Sequence, residues 1–304
     1  MWRLKTPVAF FIFNRPETTA RVFAEIARAK PSRLFVVADG PRTDRPGEAE
    51  RCAEARAVVE KLDWECEVST NYSESNLGCK ERVSSGIDWV FEHAPEAIIL
   101  EDDCLPHPSF FRFCDEMLEC YRDDARVGMI NGCNFQFGRA HVDASYHFSR
   151  CVHVWGWATW RRAWRFYDKN ATAWPLLRQN DRLAHVFPRV SDYRHWKKIF
   201  DRVHRGEIDT WDYQWNLSLW SQSLLCVAPD VNLVSNIGFG KDATHTKIGG
   251  ITSDMAVEAM RFPLEHPAFV LTDGDAELFE MRHVSPTSPV CRALCKLRGL
   301  IVRG

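Results

Sequence analysis

The sequence predicts an α/β protein with a mixed central sheet flanked by helices, and three observations carry that reading. Short continuous apolar runs alternate with amphipathic stretches of helical period through the first 133 residues, the pattern of buried strands covered by helices. Polar and acidic residues gather where those runs end, as they do at the carboxyl edge of an open sheet. Beyond residue 140 the period weakens and aromatic density rises, with nine of the 12 tryptophans between Trp155 and Trp220.

Val8 to Phe13 is the first apolar run, and Pro16 then opens a helix in which Val22, Phe23 and Ile26 share a face. Leu34 to Ala38 is the second, stopped by the turn chemistry of Asp39-Gly40-Pro41. A helix through Ala53, Ala57, Val58 and Leu62 leads to a short strand at Cys66 to Thr70. After Asn76-Leu77-Gly78, a helical stripe of Val83, Ile87, Val90 and Phe91 precedes Ala97 to Leu100, a buried strand ending in Glu101-Asp102-Asp103. Phe110, Phe111, Cys114, Met117 and Tyr121 form the next helix face, and Val127 to Ile130 reads as a further strand. In the aromatic half, Trp155-Gly156-Trp157-Ala158-Thr159-Trp160 is followed by helical patterns over 182–204 and 211–219, then by a glycine-containing loop, 238–242. The expected organisation is residues 1–133, an α/β half of nucleotide-binding type; 134–260, the aromatic-rich half of the same domain; and 261–304, a C-terminal extension. There is no internal repeat.

A formal net charge of −2, from 39 basic and 41 acidic residues, leaves no basic field for a polyanion, which argues against nucleic acid as a partner. The 11 cysteines are odd in number and form no CxxC pair, so a zinc ribbon is not indicated and a reducing, cytoplasmic setting is expected. The apolar run at the N-terminus stops at Asn14-Arg15-Pro16 without a small-residue cleavage site, and reads as a strand rather than a signal peptide. The segment from Cys291 to Arg303 mixes Leu294, Leu297, Leu300 and Ile301 with Arg292, Lys296, Arg298 and Arg303. It has two readings: peripheral contact with a membrane face, or a basic helix packed on the domain.

Three strand ends carry groups suited to chemistry. Glu101, Asp102 and Asp103 repel one another and call for a cation, and oxygen ligands of this hardness suit Mg²⁺ or Mn²⁺ with substrate phosphates completing the shell. An acidic turn ahead of the helix near Ser109 is the alternative. Asp39 offers an acceptor to a ring N–H or a ribose hydroxyl, or else forms the turn before Gly40. Asn14 and Arg15 offer an amide and a fixed charge to a diphosphate, or else begin the helix at Pro16. In the second half, aromatic faces suit sugar C–H faces, although most of the tryptophans read as core. Asp212, flanked by Trp211 and Tyr213, is a candidate general base, with Asp209 its competitor. His245 is a candidate phosphate or metal contact, or a structural histidine.

Taken in order, Pro7-Val8 with Asn14-Arg15-Pro16, Asp39-Gly40, Glu101-Asp102-Asp103 with Pro108-Ser109-Phe110-Phe111, Trp155-Gly156-Trp157, Trp211-Asp212, and Cys226-Val227 with Pro229 ahead of Gly238 to His245 form a series. In that series the chain resembles GT-A-fold glycosyltransferases, closest in motif order to N-acetylglucosaminyltransferase I and bacterial nucleotide-diphospho-sugar transferases. The resemblance implies a Rossmann-like GT-A fold and inverting, metal-dependent transfer from a nucleoside-diphosphate sugar, UDP-linked, to a glycan, lipid-linked or protein-linked acceptor. It implies that Asn14, Arg15, Asp39, Glu101, Asp102, Trp157 and His245 serve the nucleotide and donor, that Asp103 binds the metal, and that Asp212 is the base. The loop through Gly240 and His245 would close over the donor. Two other functions compete. A sugar-1-phosphate nucleotidyltransferase would open with a glycine-rich loop where Phe13-Asn14-Arg15-Pro16 has none, and a noncatalytic carbohydrate-binding protein would use the tryptophans alone.

Overall fold

A computed structural model describes residues 2–139, 144–238, 252 and 254–284. The first half is a βα succession: β1 (Val8–Ile12), α1 (Pro16–Ala29), β2 (Arg33–Ala38), α2 (Glu48–Val59), β3 (Glu67–Tyr72), α3 (Cys79–His93), β4 (Glu96–Glu101), β5 (Cys104–Pro106), α4 (Ser109–Cys120) and β6 (Val127–Asn131). The second half contributes β7 (Tyr146–Ser149), β8 (Trp157–Trp160), α5 (Arg161–Trp164), α6 (Trp174–Gln179), α7 (Val190–His204), α8 (Asp212–Ser221), β9 (Leu225–Pro229), β10 (Val234–Asn236) and α9 (Gly274–His283).

Eight strands form one sheet in the order β3-β2-β1-β4-β8-β6-β9-β7. β1 runs parallel to β2 and β4, and β2 to β3, while β8 lies antiparallel to both β4 and β6, and β7 antiparallel to β9. This is the expected mixed sheet flanked by helices. Residue parity explains why its central strands read as continuous apolar runs. Val8, Phe10 and Ile12 enter one core with Leu34, Val36, Ile98 and Leu100, and Ala9 and Phe11 enter the other with Phe35, Val37, Ala97 and Ile99. Both faces are covered, so neither can be polar.

Two expected elements are displaced. Helix α2 buries Glu48, Cys52, Ala55 and Val59 rather than the face centred on Ala53, which is exposed. Its inward stripe holds a carboxylate and a thiol, which hid the period from a count of aliphatic residues. Strand β3 begins one residue later and runs to Tyr72; as the edge strand it is largely exposed, so its apolar signal is weak.

The tryptophan-rich half is core. Seven of its nine tryptophans are buried, and Trp157 stacks on Trp211 at 5.6 Å while Trp164 stacks on Tyr167 at 4.2 Å. A third apolar cluster, including Trp174, Phe187, Phe200 and Trp220, lies beneath α6 and α7. Helix α9 closes this half through two buried carboxylates. Glu277 accepts from Arg150 N at 2.6 Å, and Glu280 pairs with His153 at 2.7 Å. The nine described cysteines are free thiols. Among the described residues no helix is long and apolar enough to cross a membrane.

Candidate functional site

A cleft of about 670 Å³ opens at the carboxyl ends of β1, β2 and β4 and extends to the start of α3, the segment 208–213 and Trp155. Six of the predicted site residues line it: Arg15, Asp39, Glu101, Asp102, Asp103 and Asp212. This is where an open α/β sheet places a ligand.

The acidic triplet divides by parity. Glu101 stands opposite Phe11 in the β4–β1 register, on the face covered by α3 and α8, and it accepts no hydrogen bond from a described residue. Burial, then repulsion from Asp103 and Asp102, pushes its carboxyl up to about 8; Asp212 adds to the effect from across the cleft. Asp102 turns the other way. Its Oδ2 accepts the Phe13 N–H at 3.0 Å and its Oδ1 meets Arg15 Nη2 at 2.6 Å. Burial raises Asp102 to about 6, with Arg15 opposing. Arg15 also donates from Nη1 to Asp103 Oδ2 at 2.8 Å, so one guanidinium spans two carboxylates. Burial pulls the Arg15 pKa down, but the charges of Asp102 and Asp103 more than reverse this, and it stays cationic. Gly238 closes over the pair: a Cβ there would lie 2.1 Å from Asp103 Oδ2 and 2.7 Å from Arg15 Nη1.

Asp39 is filled by Gly40 beside it and by the loop between β3 and α3. Oδ1 accepts from Gly40 N at 2.8 Å and Leu77 N at 2.9 Å, and Oδ2 from Asn76 Nδ2 at 3.0 Å and Gly78 N at 3.2 Å. Burial raises this carboxyl, and the backbone N–H groups of Leu77, Gly40 and Gly78 counter it. Of these donors the Asn76 amide is the one not fixed by backbone. Asn14 is outside the cleft lining. Its Nδ2 donates to Glu48 Oε1 at 2.8 Å, tying the end of β1 to α2.

The two candidate bases differ in what holds them. Asp209 accepts from Cys79 N at 3.3 Å and Lys80 N at 3.0 Å, so it caps α3 from 130 residues away. Asp212 opens α8, where the helix N-terminus stabilises negative charge, and Thr210 Oγ1 donates to its Oδ1.

The glycine of Trp155-Gly156-Trp157 sorts its neighbours. Gly156 has φ +64°, and a Cβ would lie 2.7 Å from Val234 Cγ2, so a side chain is doubly disfavoured there. On one side of this turn Trp155 lines the cleft; on the other Trp157 enters β8 with no solvent exposure. Trp157, read from the sequence as a donor contact, is therefore a core residue, and Trp155 holds the place expected of it. Sequence reasoning also passed over Arg42 and Arg82. Arg42 lies 5.6 Å over the Phe13 ring and pairs with Glu48, and Arg82 donates to Ala38 O at 3.1 Å. Arg42 lies between β2 and α2 and Arg82 within α3, each a single arginine with no motif around it. His245, the loop through Gly240, and the basic C-terminal segment lie outside the described residues.

Neither family models nor curated proteins match this chain. Solved structures similar to it include S. aureus TarS 1–349, at 12% identity and TM-score 0.41 over 74% of this chain. The chain spans 58% of that structure's length. Galactosyltransferase LgtC, in complex with donor and acceptor sugar analogs, is 10% identical with TM-score 0.37, covering 71% of this chain and 70% of its own. Mannosyltransferase PcManGT from Pyrobaculum calidifontis, in complex with GDP-Man and Mn²⁺, is 14% identical with TM-score 0.36, covering 53% and 46%.

The cleft chemistry suits a divalent cation that arrives with its ligand. Three arginines face six carboxylates in the lining, so a diphosphate entering alone meets net negative charge. All candidate ligands are carboxylate oxygens. Among the described residues no cluster of three ligating side chains is preformed. Asp103 suits the role of ligand, since its Oδ2 carries the bond to Arg15 while, among the described residues, Oδ1 receives only the weak Cys104 thiol at 3.5 Å.

Proposed function

We propose that this protein is an inverting glycosyltransferase that uses a nucleoside-diphosphate sugar, UDP-linked, and a divalent cation. One observation carries the reading: a single cleft at the sheet's carboxyl edge is lined by both the Arg15–Asp102–Asp103 cluster and Asp212. A transfer that displaces a diphosphate needs positive charge at the leaving group and a base at the attacking hydroxyl.

Asp103 would hold Mn²⁺ or Mg²⁺, which when bound supplies charge for the leaving diphosphate. Arg15, fixed by two carboxylates, contributes a second positive group and positions Asp103. Asp102, locked by Phe13 N and Arg15, orients the guanidinium and lies near the ribose and sugar. Glu101 faces the donor sugar, and Asp39 with the Asn76 loop receives the base. Asp212, steadied by Thr210, takes the proton of an acceptor hydroxyl, and Trp155 supplies an aromatic wall beside it. The acceptor hydroxyl belongs to a glycan, free or linked to lipid or protein.

Thermal-shift screening with UDP, GDP, CMP and dTDP sugars, with and without Mn²⁺, tests this reading, because a ligand bound to the native state raises its stability. A UDP-specific, Mn²⁺-dependent rise is expected. Stabilisation by a nucleoside triphosphate and a sugar phosphate, with pyrophosphate release, would replace it with nucleotidyl transfer.

A further inference from the structure

The charge of this chain is unevenly distributed. Residues 161–205 contain 12 Lys and Arg against four Asp, a surplus of eight in a protein whose formal total is −2. Helix α7 concentrates it. Its inward side, Tyr193, Trp196, Phe200 and Val203, packs in the third apolar cluster. At 100° per residue, Arg194, Lys198 and Arg202 share the opposite side with Arg205 just past the helix end, and all four are exposed. The stripe from Arg194 to Arg205 is roughly 16 Å long at the helical rise per residue. Glu207 offsets Arg202 and Arg205, but Arg194, Lys198 and the neighbouring exposed Arg182 meet no carboxylate among the described residues.

Helix α6 lies alongside, since Arg178 reaches Asp201 of α7 at 2.7 Å and Asp181 meets Lys197 at 2.7 Å. It presents Leu176 at 68% exposure, and Val190 at the start of α7 is 67% exposed. A soluble polyanion would satisfy the cations and leave both aliphatic side chains in water. A lipid surface takes both, with headgroups meeting the cations and Leu176 and Val190 entering the interface.

We propose that the outward face of α6 and α7 docks on an anionic phospholipid membrane. The docking is peripheral, because the apolar side of α7 stays in the protein core. It is also independent of the catalytic reading, since none of these residues lines the cleft.

Flotation of the full chain with vesicles of equal parts phosphatidylglycerol and phosphatidylcholine, against pure phosphatidylcholine, tests the proposal. The protein is expected to float with the anionic vesicles only, and less at high salt. Arg182→Glu, Arg194→Glu and Lys198→Glu together should weaken binding by about 100-fold or more, at roughly fivefold per cation removed. Leu176→Ser with Val190→Ser should weaken it further, with an unchanged circular dichroism spectrum as the control for folding. Absence of flotation, equal binding to neutral vesicles, or insensitivity to the charge reversals would overturn the proposal. So would retention on heparin by the same cations without vesicle binding. Donor-induced thermal shifts in the reversed variant separate a failure here from a failure of the glycosyltransferase reading.

Discussion

The carboxyl edge of the first sheet half and the tryptophan-rich second half are enriched in opposite kinds of residue, and the structure treats them differently. At the edge, polar residues that interrupt buried strands converge on one cleft: Arg15 after β1, Asp39 after β2 and the acidic triplet closing β4. In the aromatic half an excess of flat rings resolves mostly into core, with Trp157 and Trp215 sealed and Trp155 left facing the cleft. Polar groups at a strand's end have few places to go except the sheet's rim, whereas a tryptophan is equally at home in a core or on a binding wall. Position within an element is therefore the stronger clue, and residue abundance the weaker.

Four substitutions sharpen this contrast. The largest effect is expected at Asp212→Asn, where transfer should fall by about 10² to 10⁴-fold while sugar-nucleotide binding persists in calorimetry. Loss of binding would move Asp212 from base to donor contact. Next is Trp157→Ala, which should cost about 3–5 kcal/mol in denaturant unfolding, against a small stability change for Trp155→Ala and a weakened acceptor interaction. If Trp155 proved the more destabilising, the sorting by Gly156 would be wrong. Asp209→Ala should cost about 1 kcal/mol through the lost cap on α3 and leave the catalytic step intact, as a turnover assay at saturating substrate would show.

The smallest effect concerns pH. Glu101 is raised to about 8 by burial and its acidic neighbours, so the metal-free folded state holds this proton more tightly than the unfolded chain. The residue costs no stability below the ordinary carboxylate range. The cost then grows as pH climbs to about 8 and is complete above it. Glu101→Gln should therefore raise the melting temperature by on the order of a few degrees at alkaline pH and barely at pH near 5. An equal rise at both would show that Glu101 is not strained by its charge.

Much of the fold was legible because β1, β2 and β4 are buried on both faces and so write uninterrupted apolar runs. The face of α2 was not, because Glu48 and Cys52 occupy its inward stripe to meet Asn14, Arg42 and the sheet. Within the site, Arg15 and the triplet were found from local sequence. Asp209 was separable from Asp212 only in three dimensions, since its partners, Cys79 and Lys80, lie at the start of α3. The same holds for Asp39, whose loop donors at Asn76 to Gly78 are nearly 40 residues distant.

The central claim is that the carboxyl edge is a metal-assisted nucleoside-diphosphate site with Asp212 of the same cleft as its base. Calorimetric titration of UDP, with and without Mn²⁺, into the wild type, Asp103→Asn and Asp212→Asn addresses it most directly. Mn²⁺-dependent binding to the wild type and Asp212→Asn, lost in a folded Asp103→Asn, is the predicted result. UDP binding that ignores both Mn²⁺ and Asp103, or no UDP binding by the wild type, would contradict it.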